Sequence, residues 1–168
     1  MSDILTFEEL KGDIKGKTIA WFGDGNNVAN SFIHAATKFQ FKIKIACPKK
    51  YSPNKKILSW AKKNKVNLTI TTKPEDALKN SDCVMTDKWV SMNDKVNKVS
   101  KKKTLKPYQV NKKLMSKANS DAVFMHCLPV GRGEEVTNEV IDGKQSVVWR
   151  QALNRVHAQK SIIKWCLD

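Results

Sequence analysis

An α/β fold is predicted: a doubly wound, mainly parallel sheet of five strands, Rossmann-like, with helices on both faces. Three observations carry this expectation. Five short apolar runs alternate with helix-patterned stretches through the chain, which is the order a parallel sheet needs. The first run leads into a glycine-rich turn and then an apolar-periodic stretch, which together make a βα unit. The 168 residues suit one domain able to bury roughly 70% of its unfolded surface. Neither an internal repeat nor a linker divides them.

Taken in order, Thr6 and Glu9 have capping-box spacing, so a short helix is expected over 7–11. Residues 17–22 read as the first strand, Gly23 to Asn27 as a tight turn, and 28–39 as the helix it feeds. The second strand is expected over 41–47, a helix over 53–64, the third strand over 66–71 and a short helix over 74–79. Cys83-Val84-Met85-Thr86 is the fourth strand, followed by a loop over 87–94 and a lysine-rich helix over 94–103. Residues 107–117 are expected to form another helix. The fifth strand ends in Val123-Phe124-Met125, and Leu128-Pro129 stops it, because proline has no N–H to give a ladder. A turn at Gly131-Arg132-Gly133, a short helix over 134–141, an extended piece over 146–149 and a last helix over 152–167 complete the chain.

A net charge of +15 and a pI near 9.7 would suit an anionic partner such as nucleic acid. The excess is nearly all lysine, with arginine only at Arg132, Arg150 and Arg155. Recognition surfaces lean on arginine and clustered aromatics, and neither is visible. Solvated lysine faces therefore explain the charge, which is densest at Lys101-Lys102-Lys103, and nucleic acid is not an expected partner. No apolar run nears the roughly 20 residues of a membrane span. Residues 1–10 carry two glutamates and no signal-peptide pattern, so no membrane association and a cytoplasmic location are expected. Cys47, Cys83, Cys127 and Cys166 lie far apart with no C-x-x-C pair, which indicates neither a zinc knuckle nor a disulfide framework.

Gly23-x-Gly25 invites a dinucleotide reading, but the third glycine position holds Val28. The second strand then runs into Pro48-Lys49-Lys50 with no acid to take a ribose hydroxyl. A different site is expected at the carboxyl ends of the strands, where open α/β sheets bind ligands. Three loops fall there: 24–27, 87–92 and 126–129, with Arg155 of the last helix as a fourth contributor. They supply a carboxylate, a thiol, an imidazole, amides and a guanidinium. That inventory suits a zwitterionic amino acid, with Asp87 for an ammonium and Asn27 and helix-end N–H groups for a carboxylate. Singly, His126 and Cys127 also fit a satisfied core pair, Asp87 a helix cap, Asn27 a turn residue and Arg155 a surface charge. Their concentration on one rim is what favours a site.

Gly23-Asp24-Gly25-Asn26-Asn27, Asp87-x-Trp89-Val90-Ser91-Met92, His126-Cys127-Leu128-Pro129 and Asn154-Arg155 occur in that order. Together they resemble the amino-acid-binding domain of the ornithine carbamoyltransferase family, and the resemblance runs essentially from residue 1 to 167. Aspartate carbamoyltransferases share the fold but differ where Cys127 stands. The resemblance implies transfer of a carbamoyl group from carbamoyl phosphate to the δ-amine of L-ornithine, giving citrulline and phosphate, a step of arginine metabolism. By position, Asn27, Asp87, Ser91 and Met92 would hold ornithine, the last through its main chain. Cys127, with Asp87 nearby, would help the δ-ammonium lose its proton, since only a neutral amine attacks a carbonyl carbon. Cys127, Leu128 and Arg155 would touch carbamoyl phosphate, with His126 and Asn26 as further candidates. The resemblance implies no metal and no organic cofactor, and it leaves room for a homo-oligomer.

Some residues depart from the family pattern. The family's domain that binds carbamoyl phosphate, with its Ser-Thr-Arg-Thr-Arg loop and His-Pro-x-Gln segment, has no counterpart in the 168 residues. Asn93 stands for a glycine, Lys88 for a small polar residue, and Arg150, Gln151 and Leu153 for an acidic stretch. The expectation is a single ornithine-binding domain over 1–168, inactive alone. A non-catalytic amino-acid-binding module and a nucleic-acid-binding protein are the alternative classes.

Overall fold

The computed structural model describes residues 1–90 and 97–168. Five strands form one sheet, every pairing parallel: β1 (Thr18–Phe22), β2 (Lys42–Ala46), β3 (Leu68–Thr71), β4 (Cys83–Thr86) and β5 (Val123–His126). Their order is β3-β2-β1-β4-β5. The chain therefore winds outward on one side of β1, then returns to its other side, which makes β1 and β4 the topological switch point. The helices are α1 (Ser2–Lys11), α2 (Asn27–Phe39), α3 (Lys55–Lys63), α4 (Pro74–Leu78), α5 (Lys98–Leu105), α6 (Lys112–Met115), α7 (Asn138–Ile141) and α8 (Val148–Leu167).

Alternation of side chains along a strand divides the core into two layers. Ile19, Trp21, Ile43, Ile45, Cys83, Met85, Val123 and Met125 face α1, α2 and α3 and pack with Phe7, Phe32, Ile33 and Ala61. Ala20, Phe22, Ala46, Val84 and Phe124 face the opposite way, onto Leu78, Leu114, Met115, Val140, Ile141 and Val148. The central strands are thus apolar on both faces because both faces are covered. Full burial of Ile43 and Ile45, each at 0% exposure, contributes about 1.5–3 kcal/mol apiece.

The first βα turn has a steric logic of its own. A Cβ on Gly25 would lie 2.4 Å from the Pro53 nitrogen and 2.7 Å from the Ser52 carbonyl carbon. The Gly25 N–H also donates to the Tyr51 carbonyl at 2.7 Å. Gly25 is small because the stretch leading into α3 passes over it, not to cradle a pyrophosphate.

Several expected elements are corrected. The first helix begins at Ser2, not residue 7, and Thr6 is no cap: its hydroxyl donates to the Ser2 carbonyl inside the helix. The helix expected over 107–117 is broken into a 3₁₀ turn (Lys106–Tyr108) and α6. Val110 leaves the helix because its N–H donates to the Glu135 carbonyl, with Thr137 N–H returning a bond to the Val110 carbonyl. That pairing also shortens the helix expected over 134–141 to α7. The extended piece bridges β5 at Ser146, but Val148 already starts α8, one turn earlier than expected.

The lysine run is not all solvated. Lys101 is buried, paired with Asp24 at 2.6 Å, with its ammonium 5.5 Å from the Tyr51 ring centre. Lys102 pairs with Glu134. Residues 91–94 of the loop expected over 87–94 and the start of the expected 94–103 helix lie outside the described residues. Among those residues no helix is long and apolar enough to cross a membrane.

The layered core makes a stability prediction. Ile45→Ala should lower unfolding free energy by about 2–5 kcal/mol in urea titration. Val99→Ala, at a site 77% exposed, should stay within about 0.5 kcal/mol of the parent. Equal effects at the two positions would contradict the layer assignment.

Candidate functional site

Register builds the site. Phe22, Thr86 and His126 are Cα partners across β1, β4 and β5, so the three strands end side by side. The buried Thr86 hydroxyl fastens the first two ends by donating to the Phe22 carbonyl at 2.8 Å. The residues that follow, Gly23 to Asn27, Asp87 and Cys127, therefore emerge together at the switch point.

Asp87 is their junction. Its Oδ2 accepts from Asn26 Nδ2 at 2.8 Å, and its Oδ1 accepts from the Cys127 thiol at 3.1 Å and the Lys88 N–H at 2.7 Å. Asn26 is held in turn as the N-cap of α2, its Oδ1 accepting from the N–H groups of Val28 and Ala29. Burial pushes the Cys127 thiol well above the ordinary thiol range, and the charge of Asp87 pushes it the same way. The proton therefore sits on sulfur at neutral pH and points at the carboxylate.

His126 lies behind this pair, fully buried. Its Nδ1 accepts from the Leu128 N–H at 2.9 Å, which leaves the ring proton on Nε2, 3.3 Å from the buried Glu135 carboxylate. Nε2 and Glu135 make an electrostatic contact rather than an aligned hydrogen bond. Glu135 also accepts from the Gly131 N–H. Leu128 has φ 50°, a left-handed conformation costly for a non-glycine residue, and the His126 bond to its N–H helps fix it there.

Asp87, His126 and Cys127 offer ligand atoms within 4.8 Å of one another. A metal bound there would need the thiol to lose its proton. As arranged, Asp87 and Cys127 serve proton placement better than coordination, and His126 braces the turn that follows β5.

Beside the junction opens a cavity of about 440 Å³. Cys127, Leu128 and Arg155 line it with Asp3, Gln151 and Ser31. Arg155 stands two turns inside α8 rather than at its opening, because the helix starts early. Of the residues singled out in the sequence, Asn26, Asp87 and Cys127 are in direct contact. Asn27 is the exposed first residue of α2, and it does not line the cavity. Ser91 and Met92 lie outside the described residues.

Two supporting residues are not among the expected site residues, although one of them, Gln151, lies in the stretch that departs from the family's acidic pattern. The buried Gln151 accepts from the His126 N–H at 2.9 Å through Oε1 and donates to Asp3 at 2.7 Å through Nε2. Glu135 falls in the helix expected over 134–141 and is not singled out there, yet it is fully buried against His126. Only the tertiary position of α8 and of the 131–136 turn reveals them.

Turns gathered at the carboxyl ends of a doubly wound parallel sheet, with a carboxylate and a thiol in contact beside a cavity that a guanidinium lines, stand where such folds bind small ligands. Residues 15–166 match the family model described as aspartate/ornithine carbamoyltransferase, Asp/Orn binding domain, and the chain belongs to that family. It is 59% identical over 167 residues to an ornithine carbamoyltransferase of Rhodopseudomonas palustris, covering 99% of this chain and 54% of that one. Among solved structures it resembles the ornithine carbamoyltransferase of Pyrococcus furiosus (43% identity, TM-score 0.89, 96% of this chain and 53% of that one). It also resembles the anabolic enzyme of Campylobacter jejuni (33% identity, TM-score 0.89, 98% and 56%). The chain spans about half the length of the curated relatives it matches.

The thiol makes a prediction about pH. A pKa raised in this way keeps Cys127 as thiol through neutrality, so its alkylation by iodoacetamide should be slow at pH 7. The rate should still be climbing about tenfold per pH unit above pH 9, where an ordinary thiol near 8.5 levels off. Asp87→Asn removes a charge that holds the proton on sulfur, so it should speed alkylation at any given pH. Peptide mapping separates Cys127 from the exposed Cys166 and the buried Cys47 and Cys83. Ordinary-thiol kinetics at Cys127 would contradict the arrangement.

Proposed function

We propose that this chain is the ornithine-binding half of an ornithine carbamoyltransferase. Its chemistry would be carbamoyl phosphate plus L-ornithine to L-citrulline plus phosphate, a cytoplasmic step of arginine metabolism. The observation that carries the proposal is the contact of Asn26, Asp87 and Cys127 at the switch point, beside a cavity reached by Arg155. Asp87 receives the δ-ammonium, a charge-assisted contact. Ser91 and Met92 complete the ornithine contacts, and Asn27 faces the α-carboxylate from the opening of α2.

The chemistry turns on one proton. An ammonium arriving at Asp87 competes with the Cys127 thiol for the carboxylate, and its positive charge favours the thiolate. The proton leaving sulfur passes to solvent. A thiolate is a far stronger base than a carboxylate, so Cys127 is the group that takes the ammonium's proton and leaves a neutral amine. The amine nitrogen then bonds to the carbamoyl carbon as the bond from that carbon to the phosphate oxygen breaks, and the nitrogen's surplus proton passes to the departing phosphate, which leaves as the hydrogen phosphate dianion. Arg155 and the main chain at Cys127-Leu128 hold the departing dianion. The lone guanidinium of Arg155 at the cavity is a thin set of donors for a dianion. Turnover is therefore assigned to the assembled enzyme, since positioning two reactants supplies about 7–11 kcal/mol in well-oriented cases.

Calorimetric titration should show ornithine binding in the millimolar range, on the order of −4 kcal/mol, and the signal should vanish in Asp87→Ala. An identical response to ornithine and glutamate would sink the proposal. Citrulline formation should be negligible for the chain alone and should appear when it is co-expressed with the remaining portion of the Rhodopseudomonas palustris relative. In that mixture Cys127→Ala should cut turnover by about 10²-fold or more. Robust turnover by the purified chain alone would refute the division of labour.

A further inference from the structure

Among the described residues that line the Cys127 cavity, Asp3 and Arg155 are the acid and the guanidinium. Arg155 has a task in the reaction above, and Asp3 has none. Asp3 stands in the first turn of α1, half-buried, and it is tied to the strand end that presents the thiol. Its Oδ1 accepts from Gln151 Nε2 at 2.7 Å, and Gln151 Oε1 accepts from the His126 N–H at 2.9 Å. His126 immediately precedes Cys127. A single buried amide thus spans from the Asp3 carboxylate to the backbone beside the sulfur.

An acceptor for that amide need not be charged. An asparagine oxygen or a serine hydroxyl would take the Gln151 N–H as well, and either would avoid the desolvation a half-buried carboxylate suffers. The charge itself therefore calls for a role. Around the thiol, among the described residues, Asp87 is in contact and Asp3 comes from α1, with Arg155 opposing them from α8. The His126 ring is engaged by Leu128 and Glu135 on its two edges. Lys88 is exposed beyond Asp87, and Met1 lines the cavity on the side of α1. Burial raises the Cys127 thiol most, the Asp87 charge next, and Asp3 pushes the same way, as it does at the buried Cys83 of β4.

We infer that Asp3 is a positioning residue: it sets a second negative charge beside the Cys127 sulfur, and the two carboxylates tie release of the thiol proton to the arrival of a cationic amino-acid side chain. This rests on the functional reading above and names what the inner wall selects. In the empty site a thiolate would face both Asp87 and Asp3, so the sulfur keeps its proton. An ammonium at Asp87 answers both charges and makes the thiolate accessible. An acidic side chain would meet both charges and be turned away.

The test separates the charge from the hydrogen bond. Asp3→Asn keeps an oxygen for the Gln151 N–H and removes the charge, whereas Asp3→Glu keeps the charge. In the full chain without ligand, iodoacetamide alkylation of Cys127 is followed by peptide mapping across a range of pH. Asp3→Asn should react roughly threefold faster at each pH below the plateau, and Asp3→Glu should stay within about twofold of the parent. The urea midpoint of Asp3→Asn should match the parent's, because the acceptor is retained. Asp3→Ser gives the same reading should Asp3→Asn not fold. By calorimetry, ornithine should bind roughly threefold more weakly to Asp3→Asn, while glutamate binding should not weaken. If the parent binds no ornithine, the functional reading falls, and faster alkylation of Asp3→Asn still upholds the second charge beside the sulfur. An alkylation profile of Asp3→Asn that overlays the parent's, the same acceleration in Asp3→Glu, or ornithine affinity untouched by Asp3→Asn would each overturn the inference.

Discussion

Everything at the site follows from three parallel strands ending at the same level. Phe22, Thr86 and His126 share a register, and a parallel ladder cannot slip by one residue without turning each strand inside out. The alternating faces of Ile19, Ala20, Trp21 and Phe22, each buried in its own layer, hold the register against that slip. Because the ends are level, the next residue of β4 and the next of β5 are neighbours. A carboxylate and a thiol meet there without any long side chain having to reach. A hydrogen bond between them then fixes which of the two carries the proton.

Around that junction the chain uses buried polar groups as spacers. Asn26 caps α2 and touches Asp87 with the other end of the same amide. Gln151 likewise joins the His126 backbone to Asp3. Each amide is satisfied on both sides, the condition under which a buried polar group positions its neighbours instead of destabilising the fold. His126 belongs to this scaffold. Its ring is occupied by Leu128 on one edge and faces Glu135 on the other, so it sets the shape of the turn that presents Cys127 and Leu128 to the cavity.

Much of this was legible in the sequence, for a physical reason. Central parallel strands are apolar on both faces, and the expected bounds of β1, β2 and β4 match those observed to within a residue. The turns at 23–27 and 126–129 carried their own punctuation in glycine, asparagine and proline. Less legible were elements decided by distant partners. Val110 sits in a helical pattern but leaves the helix to bond the Glu135 and Thr137 backbone. Val148 begins a helix where the pattern looked extended. Lys101 reads as one of three solvated lysines and is buried by Asp24 and the Tyr51 ring. Gln151 and Glu135 are not among the expected site residues, because their importance is a matter of what they face.

The polar contacts between α1 and α8 form a ladder. Asp3 meets Gln151, Thr6 and Glu9 share Asn154, and Glu9 also takes Arg150. Its contacts fall at Asp3, Thr6 and Glu9 on α1 and at Arg150, Gln151 and Asn154 on α8, so a slide of either helix along the other would break them together. A single-residue insertion between Asp3 and Thr6 would rotate Thr6 and Glu9 by about 100° relative to Asp3, leaving Asn154 buried without its partners. The aim of the last helix, and with it the direction in which Trp165 and Leu167 project, is therefore written in the opening residues of the chain.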